Sequence, residues 1–467
     1  MTELKSIRAF AAAGLPAGKT GTFNPARRKT LKNACRAASK ITCSTRNEHD
    51  AKAILPEPRS VKKQFPISFL RAVKIYTCAF FPFSADEPFF ARDSGLLCMA
   101  LRALGHDSKV IMPKFPEGQE NNDPESVIRA SMGELRDPQW WRSLGVESVA
   151  FICWGFKEHT PIISAAREGG AKTCAILDSN CNGFPYFDFF STIRSTWRKG
   201  FLSEFLPRRT IGTAARMVVF FIRGLFSNYH AYVQVRTADV SAYNSPSALA
   251  RSKRRARIFG GRDILPRMLL MGYPIPDVPH PLPLEQRKQK VVAVARWDAV
   301  RTKRPDLLMQ VAERLVGRTN TVAFEIIGNL SDKMRIWHDR LPAKLKSRIV
   351  LAGVQPSKKV TEALGESMIL YCTSAFEGMP LPVAEALCCG CTVVGLSTDD
   401  VPELAWAFHD GDGTPVHNDS IEEHVVALLG EIEMWQMGKR KPLESAKKWS
   451  LWFSANSYAK RLVSRVS

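Results

Sequence analysis

Apolar runs with strand character alternate along the chain with stretches whose apolar residues recur at helical spacing. Between residues 72 and 177, buried strands are predicted by the β-branched and aromatic content of AVKIYTCAFF, SKVIM, SVAFICW and AKTCAIL. Helical spacing in DSGLLCMALRALGH predicts a helix that ends near Gly105. Another amphipathic helix lies between the last two strands. Strand–helix alternation of this kind predicts a parallel, doubly wound sheet.

A second alternation begins near residue 290. Its predicted strands are KVVAVAR, TVAFEIIG, RIVLAG, MILYC and CTVVGL, and its predicted helices include DLLMQVAERL and LPVAEALCCG. Five prolines fall between Pro274 and Pro283, which excludes a helix or a central strand there. We therefore predict two Rossmann-like domains, residues 72–270 and 287–445, joined by a proline-rich linker at 271–286.

The first 64 residues show no sustained apolar period and predict a disordered basic tail. A targeting segment or a mis-assigned start codon would have the same composition. The formal net charge of +21 is uneven, because residues 1–64 hold 14 Lys/Arg against 4 acids. Residues 190–226 hold 7 against 1, and residues 251–262 hold 6 against none. The rest is close to neutral and carries no nucleic-acid-binding motif, so we expect no nucleic-acid partner.

The cysteine pattern and the lengths of the apolar runs indicate the cellular compartment in which the protein is expected. No apolar stretch approaches the ~20 residues of a membrane-spanning helix, and the start MTELKSIRAF lacks a signal-peptide core. Eleven cysteines do not form a disulfide-scaffold pattern, and the cluster Cys388, Cys389 and Cys391 lacks the second pair of ligands that a zinc site needs. We expect reduced, buried cysteines, no metal and a cytoplasmic protein.

Two glutamates, Glu377 and Glu385, lie eight residues apart in SAFEGMPLPVAEALCCG. Gly378 and Pro380 favour a loop in the first half, whereas Pro382 suits the first turn of a helix. The backbone N–H groups of such a helix start suit a diphosphate, flanked by carboxylates that accept hydrogen bonds from sugar hydroxyls. Taken alone, the two residues could equally be a surface loop charge and a solvated helix charge.

The same segment resembles the E-x7-E signature of retaining glycosyltransferases with the GT-B fold, namely glycosyltransferase family 4 (group 1). That motif reads approximately S-x-x-E-G-x-x-L-x-x-x-E-A-[ML]-x-x-G-x-x-V-V, and this chain continues with CTVVG and VPEL as the family does. Upstream, VAVARWDAVRTKRPDLL resembles the family's segment with an Arg and a nearby Lys, here Arg296 and Lys303. Ala295 replaces the usual glycine, and Arg301 and Arg304 are alternative second cations.

The resemblance implies roles for individual residues. Arg296 and Lys303 would hold the donor diphosphate in place of a metal, Glu377 the donor sugar and Glu385 the ribose. Arg296, Lys303 and Glu377 would be the catalytic group. The full predicted donor set is Arg296, Lys303, Gly328, Val354, Glu377, Gly378, Met379, Pro380, Leu381 and Glu385. On the acceptor side, His159 could approach the reacting sugar, although a loop histidine with satisfied hydrogen bonds is the simpler interpretation.

These implications predict a retaining transferase that moves a hexosyl group from a UDP-, GDP- or ADP-sugar to a hydroxyl of a carbohydrate or lipid-linked acceptor. No cofactor is expected, and a helix at 446–467 would cross back to the first domain. The basic, apolar segment 190–226 could lie on an anionic membrane at the inner face, or could be a solvated helix pair packed on its own domain. Two other functions remain open: a nucleotide-sugar epimerase of the same fold, or a non-catalytic basic scaffold associated with a membrane.

Overall fold

The computed structural model of the protein describes residues 71–116, 123–153, 159–177, 226–278, 281–375, 379–397 and 402–466. Within these residues, thirteen strands form two wholly parallel sheets, one of seven strands and one of six. This confirms the prediction of two doubly wound, Rossmann-like sheets. The predictions for residues 1–64 and for the basic segment 190–226 lie outside the described residues.

The first sheet has the strand order β3-β2-β1-β4-β5-β6-β7. Its strands are β1 (Ile75–Cys78), β2 (Val110–Pro113), β3 (Val127–Ala130), β4 (Ser148–Cys153), β5 (Lys172–Leu177), β6 (Val240–Tyr243) and β7 (Met268–Leu270). The central strands β1 and β4 are wholly buried, as the continuous apolar runs predict for a parallel sheet. The strand order reverses at β1, because β2 and β4 lie on opposite sides of it.

The second sheet has the order β10-β9-β8-β11-β12-β13. Its strands are β8 (Lys290–Val294), β9 (Ala323–Ile327), β10 (Ile349–Gly353), β11 (Ile369–Cys372), β12 (Thr392–Leu396) and β13 (Gly413–Val416). Here the order reverses at β8, which lies between β9 and β11. Each sheet therefore has one switch point, where ligands bind in doubly wound proteins.

Helices cover the sheets and connect the strands. In the first half they are α1 (Glu87–Phe90), α2 (Asp93–Ala103), α3 (Met132–Leu135), α4 (Pro138–Leu144), α5 (Thr160–Glu168) and α6 (Pro246–Ile258). In the second half they are α7 (Val300–Lys303), α8 (Pro305–Arg318), α9 (Asp332–Asp339), α10 (Ala343–Lys346), α11 (Ser357–Glu366), α12 (Leu381–Cys388), α13 (Ile421–Gln436), α14 (Pro442–Phe453) and α15 (Ala455–Val466). Short 3-10 segments occur at Arg262–Arg267, Leu284–Gln286 and Pro402–Gly411.

Two features of the predicted element order are corrected by the structure. The run SVAFICW is the fourth strand and not the third, because β3 precedes it and pairs with β2 through Val110 and Val127. The single closing helix is in fact two helices, α14 and α15. The break occurs at Ser454, whose backbone is extended (φ −57°, ψ 140°) and forms a parallel bridge with Ile275.

The C-terminal helices tie the two halves together. Helix α15 packs against α2 of the first half, and the Ser148 hydroxyl donates to the carbonyl of Val466 at 2.8 Å. The buried Arg461 guanidinium donates to the carbonyl of Met271 at 3.0 Å, next to the proline-rich connection. Because these contacts join residues far apart in sequence, the two sheets share one packed core. No helix within the described ranges is long and apolar enough to cross a membrane.

Candidate functional site

The carboxyl edge of the second sheet contains a crevice at its switch point, between β8 and β11. It is lined by residues that follow these two strands and by the start of α12. They include Ala295, Lys303, Ser374, Pro380, Pro382 and Val383. Lys303 and Pro380 of the predicted donor set line this crevice. The other described members lie in the segments that follow β8, β9, β10 and β11 at the same edge of the sheet.

Arg296 lies just beyond β8 and is exposed. Its loop is fixed by backbone hydrogen bonds on both sides, from Ala295 N to Ile327 O at 3.2 Å and from Trp297 N to Asn329 O at 3.1 Å. The indole of Trp297 is buried and donates to Ile327 O at 2.9 Å. The arginine therefore projects from a rigid turn, while its guanidinium remains accessible to a ligand.

Gly328 explains how this turn can lie so close to β9. Its φ is +124°, a backbone conformation that other residues rarely adopt. A Cβ at this position would lie 1.8 Å from the carbonyl oxygen of Ala295. The predicted Gly328 is therefore required for the close approach of the loop that carries Arg296.

Lys303 ends the short helix α7 and lies beside the loop that follows β11. Its Nζ is 3.5 Å from the Ser374 hydroxyl oxygen, and Ala375 N donates to Thr302 O at 2.9 Å. The Thr373 hydroxyl donates to the backbone carbonyl of Lys303. These contacts fasten the two loops to each other, so the Lys303 ammonium is placed beside the segment that leads to Glu377.

The alternative second cations are placed differently. The guanidinium of Arg304 lies 2.7 Å from Asp419 and is directed to that carboxylate. The side chain of Arg301 lies outside the described residues. Lys303, with its Nζ beside Ser374, contacts the loop after β11.

Helix α12 starts at the predicted place. Pro380 is its N-cap, Pro382 lies in its first turn, and the preceding Met379 is buried. Glu385 is the fifth helical residue and is half-buried, and burial raises the pKa of its carboxyl. The positive charge of Arg92 partly offsets this rise in the pKa of Glu385. Leu381 begins the helix, whereas Glu377 and Gly378 lie outside the described residues.

Arg92 was not predicted as a site residue. It belongs to the first half, where it caps the start of α2 and is exposed. Its charge lowers the pKa of Glu385 against the effect of burial, so Arg92 lies within electrostatic range of that carboxyl although the two residues belong to different halves. The only sequence signal was a cation in the loop after β1, in FARDSG, and nothing local in the chain connects it with residue 385.

Val354 follows β10 and is 74% exposed. Gly328 N donates to the carbonyl of the preceding Gly353 at 2.8 Å, so the ends of β9 and β10 are joined beside the crevice. Val354 thus presents an apolar side chain at the same sheet edge as Arg296, on the side of β9 and β10. This position suits contact with the flat face of a nucleobase.

His159 lies at the switch point of the first sheet, where it caps the start of α5 after β4. Its ring is only 4% exposed and stacks on Phe80, with ring centroids 3.5 Å apart. Phe80 follows β1, so this pair fills the space between the ends of β1 and β4. The imidazole is packed against the aromatic ring instead of projecting toward a substrate.

The clustered cysteines are buried packing residues. Cys388, Cys389 and Cys391 are free thiols, and burial raises the pKa of Cys391 to about 11. Among the described residues, no group of three or more His, Cys, Asp or Glu side chains could hold a metal ion. At this edge, Arg296 and Lys303 are positively charged groups that can bind an anion.

Comparisons with known proteins agree with this geometry. Residues 288–431 match the family model of glycosyl transferases group 1. This match covers the crevice and supports assignment to the glycosyltransferases. A sequence search of curated proteins gives no match.

Solved structures show the GT-B fold over most of the chain. The chain is similar to the apo form of the lipopolysaccharide outer core galactosyltransferase WaaB (TM-score 0.53, 14% identity), covering 84% of this chain and 98% of that one. It is also similar to α,α-trehalose 6-phosphate synthase from Burkholderia multivorans (TM-score 0.53, 11% identity; 85% and 96% covered). A glycosyltransferase from Rickettsia africae gives the same score at 11% identity, with 85% and 98% covered. At such low identity the likeness shows the fold and not the substrate.

Proposed function

We propose that this protein is a retaining glycosyltransferase of glycosyltransferase family 4. It moves a hexosyl group from a nucleotide-diphosphate sugar to a hydroxyl of a carbohydrate or lipid-linked acceptor, in cell-surface polysaccharide or glycolipid synthesis. Support comes from the match of residues 288–431 to the glycosyl transferases of group 1. The similar WaaB structure, a lipopolysaccharide outer core galactosyltransferase, favours a cell-surface glycan as the product.

The observation that carries the proposal is the position of two cations at the switch point of the second sheet. Arg296 is exposed beyond β8, and Lys303 lies beside Ser374 in the loop after β11. In the proposed reaction, the bond between the anomeric carbon and the donor phosphate breaks while the acceptor oxygen bonds to the same face of the sugar. The acceptor proton leaves with the diphosphate, and the two cations stabilise the negative charge that develops there.

The remaining donor residues take roles around this centre. Glu385 would accept hydrogen bonds from the ribose and Glu377 from the donor sugar, while the backbone from Gly378 to Leu381 would border the diphosphate. Gly328 and Val354 would border the nucleobase. We propose that no metal is needed, because two cations already face the diphosphate. Closure of the two halves over the donor would exclude water from the reaction.

We also propose a cytoplasmic location at the inner face of a membrane, with residues 190–226 on an anionic surface. This rests on the sequence of that segment, which alternates cations with apolar side chains. Co-sedimentation with anionic vesicles tests it directly. A protein that stays in the supernatant at low salt would exclude this membrane role.

Thermal unfolding against a panel of UDP-, GDP- and ADP-sugars tests the donor site, because a ligand that binds the folded state raises the Tm. We expect one nucleotide class to raise the Tm of the wild-type protein, and Arg296→Ala to lose most of that rise. Arg318→Ala is the matched control, since Arg318 is a partly exposed arginine paired with Glu422 on the same half.

Two other outcomes would redirect the assignment. No rise in the Tm with any nucleotide sugar would favour a non-catalytic scaffold. Release of a free epimerised nucleotide sugar, detected by NMR without acceptor, would favour an epimerase. Normal turnover in both Glu377→Ala and Arg296→Ala would remove the site assignment.

A further inference from the structure

Asn244 lies at the carboxyl edge of the first sheet, directly after β6. It precedes Ser245, the N-cap of α6, whose hydroxyl accepts from Ala248 N at 3.3 Å. The carbonyl of the neighbouring Tyr243 accepts from Met271 N at 3.0 Å and from Gly272 N at 3.2 Å. Asn244 is therefore next to the point where the chain leaves the first half for the second.

The surroundings of α6 place Asn244 near the junction of the two halves. Helix α6 contacts the 3-10 segment Pro402–Gly411, which belongs to the second half. That segment carries Trp406, which packs edge-on against Trp449 and is 6% exposed. The helix that begins after Asn244 therefore packs against the second half of the chain.

The side-chain amide of Asn244 is buried and unpaired. The residue is 3% exposed, yet neither Oδ1 nor Nδ2 has a hydrogen-bond partner in the part of the chain that the structure describes. The indole Nε1 of Trp406 has no partner there either. A second buried asparagine, Asn228, contrasts with this, since its Oδ1 accepts from the Arg255 guanidinium at 2.9 Å.

An unpaired buried amide lowers stability, because it has lost its hydrogen bonds to water without replacing them. A leucine would fill similar space without this cost. A polar side chain kept at such a position is explained if a ligand supplies the missing partners. A neutral amide at this edge of the first sheet points to a polar, uncharged ligand group, in contrast to the cations of the second half.

The chemistry of the amide narrows the ligand class. It offers an acceptor oxygen and a donor N–H side by side, which matches two adjacent hydroxyls of a sugar ring. One hydroxyl can donate to Oδ1 while its neighbour accepts from Nδ2. We propose that Asn244 binds a pair of adjacent hydroxyls on the carbohydrate acceptor, within the transferase reaction proposed above. Both amide atoms are covered in this structure, so binding of the acceptor requires the groups that cover them to move aside.

The stability of Asn244→Leu separates a ligand-binding role from a structural one. We expect this variant to unfold at the same Tm as the wild-type protein or a higher one, because an unpaired amide is replaced by an apolar group. Asn228→Leu is the matched control and should unfold at a lower Tm, since it removes the oxygen that accepts from Arg255 Nε. A fall in the Tm of Asn244→Leu as large as that of Asn228→Leu would overturn the proposal.

A binding experiment tests the ligand class. The probes are methyl glycosides of glucose, galactose, mannose and N-acetylglucosamine, added with the nucleotide sugar that raises the Tm. We expect at least one glycoside to speed the release of nucleotide diphosphate by the wild-type protein, and Asn244→Leu to need at least tenfold more of it. The rise in the Tm with nucleotide sugar should persist in the variant.

The outcomes distinguish this inference from the proposed function. An equal response of the variant and the wild-type protein, or no response of the wild-type protein to any glycoside, would overturn the role of Asn244. Failure of every nucleotide sugar to raise the Tm would instead overturn the proposed transferase itself.

Discussion

The switch points of the two sheets are built from different chemistry. In the second sheet, exposed Arg296 and part-buried Lys303 border an open crevice between β8 and β11. In the first sheet, part-buried Phe80 and buried His159 fill the corresponding place between β1 and β4 with a close ring stack. At equivalent positions of the same topology, the second half therefore has cations that can bind an anion, whereas the first half has a packed pair of aromatic rings.

The difference teaches where specificity can reside in a two-sheet protein. Diphosphate recognition needs fixed cations at one edge, and that edge is rigid because Gly328 allows two loops to touch. Recognition of a polar, uncharged acceptor needs neutral donors and acceptors, and Asn244 supplies both in the first half. The following four changes test this contrast, in order of expected effect.

The largest effect is expected from Gly328→Ala. The new Cβ would lie 1.8 Å from Ala295 O at a φ of +124°, so the loop that carries Arg296 must shift. We expect a loss of about 4 kcal/mol in the free energy of unfolding, measured in urea. Gly317→Ala is the control, because a Cβ there meets open space in helix α8 and should raise stability by about 0.5–1 kcal/mol. Equal stability of the two variants would show that the close approach is unimportant.

Lys303→Ala should separate catalysis from stability. Removing an ammonium that faces the developing diphosphate charge should lower turnover by a factor on the order of a hundred, about 3 kcal/mol, with little change in the Tm. Lys333→Ala is the control, since Lys333 is exposed and paired with Asp306 at 2.7 Å. Turnover would be measured as release of nucleotide diphosphate. Unchanged turnover in Lys303→Ala would indicate that Arg301 or Arg304, and not Lys303, is the second cation that binds the diphosphate.

We expect acid to lower the stability of the second half, which contains Arg296 and Lys303. The group responsible is His424. This residue is fully buried and accepts or donates at Nδ1 with Tyr371 at 3.0 Å. Burial, aided by the charge of Arg304, lowers its pKa to about 4. Because the unfolded chain binds this proton near pH 6.5, stability is lost as the pH falls below that value toward 4. We expect His424 to account for about 2 kcal/mol of the loss between pH 7.5 and pH 5.

The measurement is urea unfolding across this pH range, with His424→Gln as the comparison. The variant should start less stable at neutral pH and show a flatter pH dependence. A dependence as steep as that of the wild-type protein would assign the acid sensitivity to other groups.

The smallest effect is expected from Tyr273→Phe. The Tyr273 hydroxyl donates to Asp93 Oδ1 at 2.6 Å, and Asp93 has a φ of +50° at the start of α2. Losing this bond should lower the free energy of unfolding by about 1 kcal/mol. Tyr232→Phe is the control, because its hydroxyl makes only a 3.4 Å contact with Arg236. No difference between the two variants would mean that the bond does not hold α2 in place.

The predicted strands that are confirmed share a signal, namely a continuous buried run of β-branched or aromatic residues such as that in β4 and β12. Four strands were missed, β3, β6, β7 and β13. Strand β6 is fully buried but has only four residues, and the other three are short or atypical. Strand β7 has three residues and follows a basic helix, and β13 contains a glycine and a proline. Strand β3 lies at an edge and is only partly buried, so its apolar pattern is weak. Pairing with a neighbour, and not local pattern, decides such strands.

The sequence by itself determined the two alternating halves, the linker between them and the residues offered at the second switch point. Those features depend on the spacing of apolar, proline and glycine residues over short stretches of the chain. This spacing sets the period of burial and the places where helices begin and end. Only the tertiary structure decided that the charge of Arg92 acts on Glu385 and that Gly328 touches Ala295. It also decided that the Asn244 amide is buried without a hydrogen-bond partner among the described residues. Each depends on segments distant in the chain, and their approach follows from the packing of whole sheets and helices, which no local pattern encodes.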